Sequence, residues 1–252
     1  MRQYGGTFLP FLDYATPALR TAAIMKLNPI IICSHDSIGG GDDGPTHQAV
    51  EQISHLRSTP AVLVLRPADS VEVVECWEVA LRNKRRPSVL LFSAQGWPAT
   101  STGMPPVRTV HTDENLSSTG AYVLAEAAES RAATILATGS EVSIAMAARE
   151  ALSTKGIQVA VVSMPSWELF DEQEENYRQN VLGTAPRVAI EAGTSFGWAK
   201  YVGADENVIC VAEFGASADW KTMYEKYNIT AAALENLVLK VLKADNFAER
   251  EI

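Results

Sequence analysis

The 252-residue sequence predicts an α/β protein made of two doubly wound α/β domains. Three observations predict it: apolar runs of strand length alternate with helical segments, the composition breaks once near the middle, and the length suits two modest cores. Pro29 to Cys33 reads as a buried strand. After a polar, glycine-rich loop, Pro45 reads as a helix start, with Val50, Ile53 and Leu56 as its apolar stripe. Ala61 to Leu65 is a strand, Ser70 to Asn83 a helix, and Ser88 to Phe92 a further strand. This β-α-β order implies a parallel sheet. Asp69 is placed to cap the middle helix, Glu72 follows three residues later, and Pro87 separates the helix from the next strand. Gly96 to Thr119 is rich in Pro, Ser, Thr and Gly and reads as an extended linker. Beyond it, strands at Thr134 to Ala137, Gln158 to Val162, Arg187 to Ile190 and Val208 to Val211 alternate with helical segments. Ser140 is placed to cap the clearest of these helices, which Gly156 ends. A last helix is expected from Thr230 to Lys243, with a charged tail, Ala244 to Ile252, that frays.

Composition narrows the function. Hydrophobic residues make up 47%, charged residues 20%, and the formal net charge is −9. Such a charge gives no long-range attraction for nucleic acid or an anionic membrane, which leaves small molecules and other proteins as partners. Cys33, Cys76 and Cys210 are odd in number and widely separated, so neither a disulfide framework nor a metal site is suggested, and a reducing, cytoplasmic setting fits. No apolar run approaches spanning length, and no secretory signal pattern is present.

The chemistry concentrates in Ser34 to His47. The loop holds His35, His47, Asp36, Asp42, Asp43 and four glycines, and it follows a strand's carboxyl end, where open α/β sheets bind ligands. Imidazoles exchange protons near neutral pH, carboxylates accept hydrogen bonds from sugar hydroxyls, and glycines admit close backbone approach. Polyol or phosphate handling is the first reading. Structural roles for the two histidines and an Asx turn at Asp43 balance it on spacing alone. Gly39-Gly40-Gly41 lacks both the P-loop lysine and the Rossmann spacing. His55 and His111 read as ordinary surface histidines, Asp42 as loop solvation, and the five tryptophans as packing residues.

The segments Tyr4-Gly5-Gly6-Thr7-Phe8, Phe11 with Tyr14, His35-Asp36-Ser37-Ile38, Asp43-Gly44-Pro45-Thr46-His47 and Arg66-Pro67-Ala68-Asp69 closely resemble transketolases. Further on, Ala137 to Ser143, Val162-Ser163-Met164-Pro165 and Phe214-Gly215-Ala216-Ser217 resemble the C-terminal domain of that family, in order and approximate spacing. The resemblance implies a partial pyrimidine-binding domain over 1–98, a linker over 99–119 and a C-terminal domain involved in assembly over 120–252. It implies transfer of a two-carbon ketol unit from a ketose to an aldose, with thiamine diphosphate and a divalent metal, magnesium or calcium, in a cytoplasmic, dimeric enzyme of pentose phosphate metabolism. By the same resemblance Phe8, Phe11 and Tyr14 line the aminopyrimidine pocket, where a flat ring gains stacking and burial. His35 and His47 become substrate-channel histidines, His35 near the sugar phosphate and His47 near the reacting carbonyl. Asp43 becomes the acceptor for the neighbouring hydroxyl. No residue is assigned to the metal.

Two departures shape the expectation. The family's large N-terminal domain, which holds the diphosphate and metal, has no counterpart in these residues, and neither do the activating glutamate and the first strands of the pyrimidine-domain sheet. A truncated parallel sheet exposes an apolar edge or face, so a protein chain supplying the missing domain, or a homo-oligomer, is expected. At Ser93-Ala94-Gln95 transketolases carry an arginine where this chain has Ala94. Without that bidentate cation, selection for phosphorylated sugars weakens, and unphosphorylated substrates become plausible, as in dihydroxyacetone synthases. An inactive paralogue that regulates or assembles with full-length chains is the competing expectation. A dehydrogenase β-subunit is a third, less consistent with the histidine-loop spacing.

Overall fold

Strand β1 (Tyr4–Phe8) starts a four-stranded sheet, and its glycines hide it from a reading based on apolar runs. A computed structural model describes residues 3–93, 107–108 and 113–248, the side chains of 246–248 excepted. After β1 a 3-10 helix over Leu9–Ala15 buries Leu9 and Leu12, and helix α1 (Thr16–Ile24) begins with a proline in its first turn. Then come β2 (Ile30–Ser34), α2 (Gln52–Ser58), β3 (Leu63–Leu65), α3 (Ser70–Arg82) and β4 (Ser88–Leu91). The strands run parallel in the order β1-β2-β4-β3. One face packs on Leu9, Leu12, Leu19, Ile53 and Leu56, and the other on Cys76 and Ala80 of α3. Asp69 caps α3 by accepting from the Glu72 N–H at 2.9 Å, while the Glu72 carboxylate accepts from the Ala68 N–H at 2.7 Å.

The second half contains β5 (Tyr122–Ala125), β6 (Ala133–Ala137), α4 (Glu141–Thr154), β7 (Val159–Ser163), α5 (Trp167–Asp171), α6 (Glu175–Leu182), β8 (Arg187–Ile190), α7 (Ala199–Val202), β9 (Val208–Ile209), α8 (Trp220–Lys226) and α9 (Ala231–Ala248). Its five strands are ordered β5-β7-β6-β8-β9, all parallel except β5, which runs antiparallel to β7. Strands β6 and β7 are buried along their whole length, as a sheet covered on both faces requires. α4 and α9 cover one face, while Trp167, Phe170, Trp198 and Tyr201 fill the other.

Several sequence expectations need correction. The helix expected from Pro45 starts at Gln52, because the Gln48 amide and the loop backbone form turns instead, with His47 N–H on Gly44 O. Ser140 makes no side-chain cap on α4; its hydroxyl donates to the Glu141 carboxylate at 2.7 Å. The last helix does not end at Lys243 but continues to Ala248. Part of the expected linker is packed: Arg108 is buried against Glu75, and Ser117 donates to the same carboxylate. Ala94, Gln95, Gly96-Trp97-Pro98 and His111 lie outside the described residues.

Candidate functional site

Parallel pairing of β1 with β2 places Phe8 opposite Ser34 at the carboxyl ends of both strands. The next residue, His35, therefore lies beside Phe8, with ring centroids 3.9 Å apart. His35 adopts φ 60°, a left-handed conformation uncommon for any residue but glycine. This sharp turn carries its imidazole over the strand ends. Phe11, on the 3-10 helix, stands 5.7 Å from Phe8 and 5.0 Å from His47, and the two imidazoles are 6.4 Å apart. Phe8 and Phe11 each keep about a third of their surface open. The structure thus brings Phe8, Phe11, His35 and His47 together. Tyr14 stands apart at 89% exposure, and among the described residues no ring contact ties it to the cluster.

Asp43 reaches His35 Nε2 at 3.2 Å, and Ser34 Oγ lies 3.0 Å from Nδ1. A carboxylate only accepts, so Nε2 donates to Asp43, and in the neutral ring Nδ1 accepts from the serine hydroxyl. His47 Nδ1 contacts Thr46 Oγ1 at 3.0 Å. Gly40 passes close to the His35 ring and the His47 backbone: a Cβ there would stand 3.6 Å from His35 Cδ2 and 3.5 Å from the His47 carbonyl oxygen. Asp42 is exposed. His55 lies outside the cluster on α2, 3.9 Å from Asp13.

Beneath the loop lies a buried polar network that the sequence reading did not assign. Asp36 accepts from Arg66 Nε at 2.9 Å; the same guanidinium donates to Glu141 and to the Thr138 carbonyl, the latter at 3.0 Å. Arg57 makes a two-point pair with Glu191 at 2.8 and 2.9 Å and stacks 3.8 Å above the Trp167 ring. Burial works against the charge on Arg66, but Glu141, Asp36 and Glu191 outweigh it and hold its pKa above the ordinary value. Burial also opposes ionisation of Glu191; Arg57 beside it outweighs that cost and holds the carboxyl below its usual range. Charged residues are normally solvated, so only the tertiary structure could reveal these five as core. Asp36, Arg66 and Glu141 stand in the motifs that carry the family resemblance, whereas Arg57 and Glu191 had no sequence signal.

As arranged, the site can stack a flat heterocycle on Phe8 and Phe11, accept from a hydroxyl at Asp43 and exchange protons at two imidazoles. Among the described residues no group of three or more His, Cys, Asp or Glu could hold a metal ion. Nor is any helix long and apolar enough to cross a membrane.

Comparisons with known proteins agree with the two-domain fold. Residues 1–98 match the family model for the pyrimidine-binding domain of transketolase, and residues 120–230 match that for the transketolase-like C-terminal domain. A transketolase from Sinorhizobium medicae is 50% identical over 241 residues, which is 95% of this chain and 34% of that protein. One from Aquifex aeolicus is 45% identical over 243 residues, again 34% of its length. The chain thus spans about a third of these relatives. Transketolase from Leishmania mexicana superposes with a TM-score of 0.87 at 39% identity, covering 97% of this chain and 34% of that one. A chain described as the inactive β4 tetramer of a split-gene transketolase shares the fold, with a TM-score of 0.74 at 23% identity, covering 95% of this chain and 75% of that one.

Proposed function

Since this chain belongs to the transketolase family, being built of that family's pyrimidine-binding and C-terminal domains, we propose that it forms one part of an enzyme that moves a two-carbon ketol unit from a ketose to an aldose. The observation that carries the reading is the convergence of Phe8, Phe11, His35, His47 and Asp43 at the carboxyl ends of β1 and β2. The open faces of Phe8 and Phe11 fit the aminopyrimidine of thiamine diphosphate, and Tyr14 would join them on the outer side. Diphosphate and a divalent metal, magnesium or calcium, would be held by polypeptide beyond these residues, in the same chain or in a partner. The split-gene fold neighbour supports an arrangement in which separate chains share the work.

Thiamine diphosphate, when bound, would supply the electron sink for breaking the donor's carbon–carbon bond and making the new one to the acceptor aldehyde. His47, between Phe11 and His35, takes the proton from the reacting hydroxyl and returns it to the acceptor carbonyl. Asp43 accepts from the adjacent hydroxyl while orienting His35. His35 hydrogen-bonds the more distal oxygens, and Phe8 against its ring excludes water from that side. Ala94 favours unphosphorylated or smaller substrates over sugar phosphates, because a methyl group offers no charged hydrogen bond. Ketol transfer, measured with a polypeptide carrying the diphosphate domain, tests the reading. His47→Ala lowers kcat by roughly 10²–10⁴-fold, the range of acid–base catalysis, and Asp43→Asn raises the KM for the ketose. Unchanged kinetics in both variants would overturn it.

A further inference from the structure

The two histidines stand in the first half of the chain, yet the residues that fix their loop belong largely to the second. Asp36, next to His35, is held by Arg66, and Arg66 by Glu141 at the start of α4. The Tyr224 hydroxyl of α8 donates to that Glu141 at 2.9 Å and stands 3.4 Å from Ser37 Oγ and 3.3 Å from Ser140 Oγ. Ser37 Oγ in turn accepts from the Gly39 N–H at 3.2 Å. At the other end of the loop Gln48, next to His47, donates from one amide nitrogen to Gly41 O at 2.8 Å and to Ala216 O at 2.9 Å. Gly215 leaves Gln48 room: a Cβ there would lie 1.6 Å from Oε1 and 2.7 Å from Cδ. Ser217 presses on the loop as well, since a Cβ on Gly44 would meet its Oγ at 2.5 Å.

We propose that the C-terminal domain positions both imidazoles: Tyr224, through Glu141 and Arg66, sets the Asp36–Ser37 turn that aims His35, and the Gly215–Ala216 loop, through Gln48, sets His47. The contacts are directional and attached one residue from each histidine, buried at Arg66 and at the Gln48–Gly41 bond and half-buried at Ala216, whereas an interface made only to join two domains needs no such placement. His35 is held in a left-handed conformation that residues other than glycine rarely adopt, and the Arg66–Asp36 pair supplies an anchor immediately beside it. The inference rests on the ketol-transfer reading only in treating His35 and His47 as substrate-facing.

The chain has four histidines, so its imidazole signals can be followed individually by NMR in the folded, histidine-labelled 252-residue chain. Tyr224→Phe removes one hydroxyl, and Gly215→Ala evicts the Gln48 amide. The expected result is that Tyr224→Phe shifts the His35 imidazole resonances, that Gly215→Ala shifts those of His47, and that His55 stays in place in both. Should Gly215→Ala lose its fold, Gln48→Leu removes the same two amide bonds without a clash and carries that arm. Stationary His35 and His47 signals in folded variants overturn the proposal. Because the readout is an imidazole signal and not turnover, that failure is distinct from failure of the ketol-transfer reading.

Discussion

Replacing Glu72 with glutamine should reverse part of this protein's stability profile with pH. Glu72 lies in α3, fully buried, and its carboxyl accepts from the Ala68 N–H at 2.7 Å, the Tyr122 hydroxyl at 2.8 Å and the Ser163 hydroxyl at 2.5 Å. The two hydroxyls come from β5 and β7 of the second half, so this carboxyl sits on the seam between the sheets. Burial outweighs those three hydrogen bonds and pushes its pKa from 4.5 up to about 7. A carboxyl whose folded pKa is raised favours the protonated native state. Its stabilising contribution is present below the unfolded pKa and is lost as pH climbs through about 7. A rise of this size, at about 1.4 kcal/mol per unit, corresponds to about 3 kcal/mol. Glu72→Gln keeps the shape and the acceptor oxygen but does not titrate. The variant should therefore gain about 3 kcal/mol on the wild type between pH 4.5 and pH 8. Urea unfolding followed by tryptophan fluorescence across that range measures the difference. A wild-type-to-variant gap that stays constant with pH would refute the reasoning.

Arg57→Met strands the buried Glu191 carboxylate, at a cost of about 3–5 kcal/mol. For a chain of this size that is a drop in Tm of roughly 6–20 °C by calorimetry, and an unchanged Tm would contradict the assigned pair. Phe8→Ala should weaken thiamine diphosphate binding in the assembled enzyme by roughly 2- to 10-fold through lost ring contact, read from the cofactor dependence of the rate. Ala94→Arg supplies the guanidinium that the family resemblance implies at this position. At about 1.5–3 kcal/mol for a charged hydrogen bond, it should raise kcat/KM for phosphorylated over unphosphorylated ketoses by roughly 10- to 100-fold.

Where local patterns govern, the sequence was a good guide. Arg187 to Ile190 is a strand with the expected bounds, and α3 is capped by Asp69 as its spacing implies. Where partners lie far along the chain, it was not. β1 contains two glycines and is a strand because it pairs with Ile30–Ser34, some two dozen residues on. Ile53 and Leu56 are the buried side of α2, but Val50 precedes the helix and packs in the other core, because Pro45 to Glu51 is not helical and Gln48 is drawn to Gly41 and Ala216. The resemblance named candidate site residues, and of these the structure gathers Phe8, Phe11, His35, His47 and Asp43. Tyr14 carries no pattern that would have foretold its exposure. The arginine–carboxylate network under the loop was hidden because its partners lie far apart along the chain, Arg57 with Glu191 and Arg66 with Glu141, and charged residues are usually solvated.

The most direct test is ketol transfer by the 252-residue chain, with thiamine diphosphate and magnesium, alone and with a polypeptide carrying the diphosphate- and metal-binding domain. The prediction is transfer only in the combination, lost in His47→Ala. Transfer by these residues alone, or silence from a mixture of folded components, would contradict it.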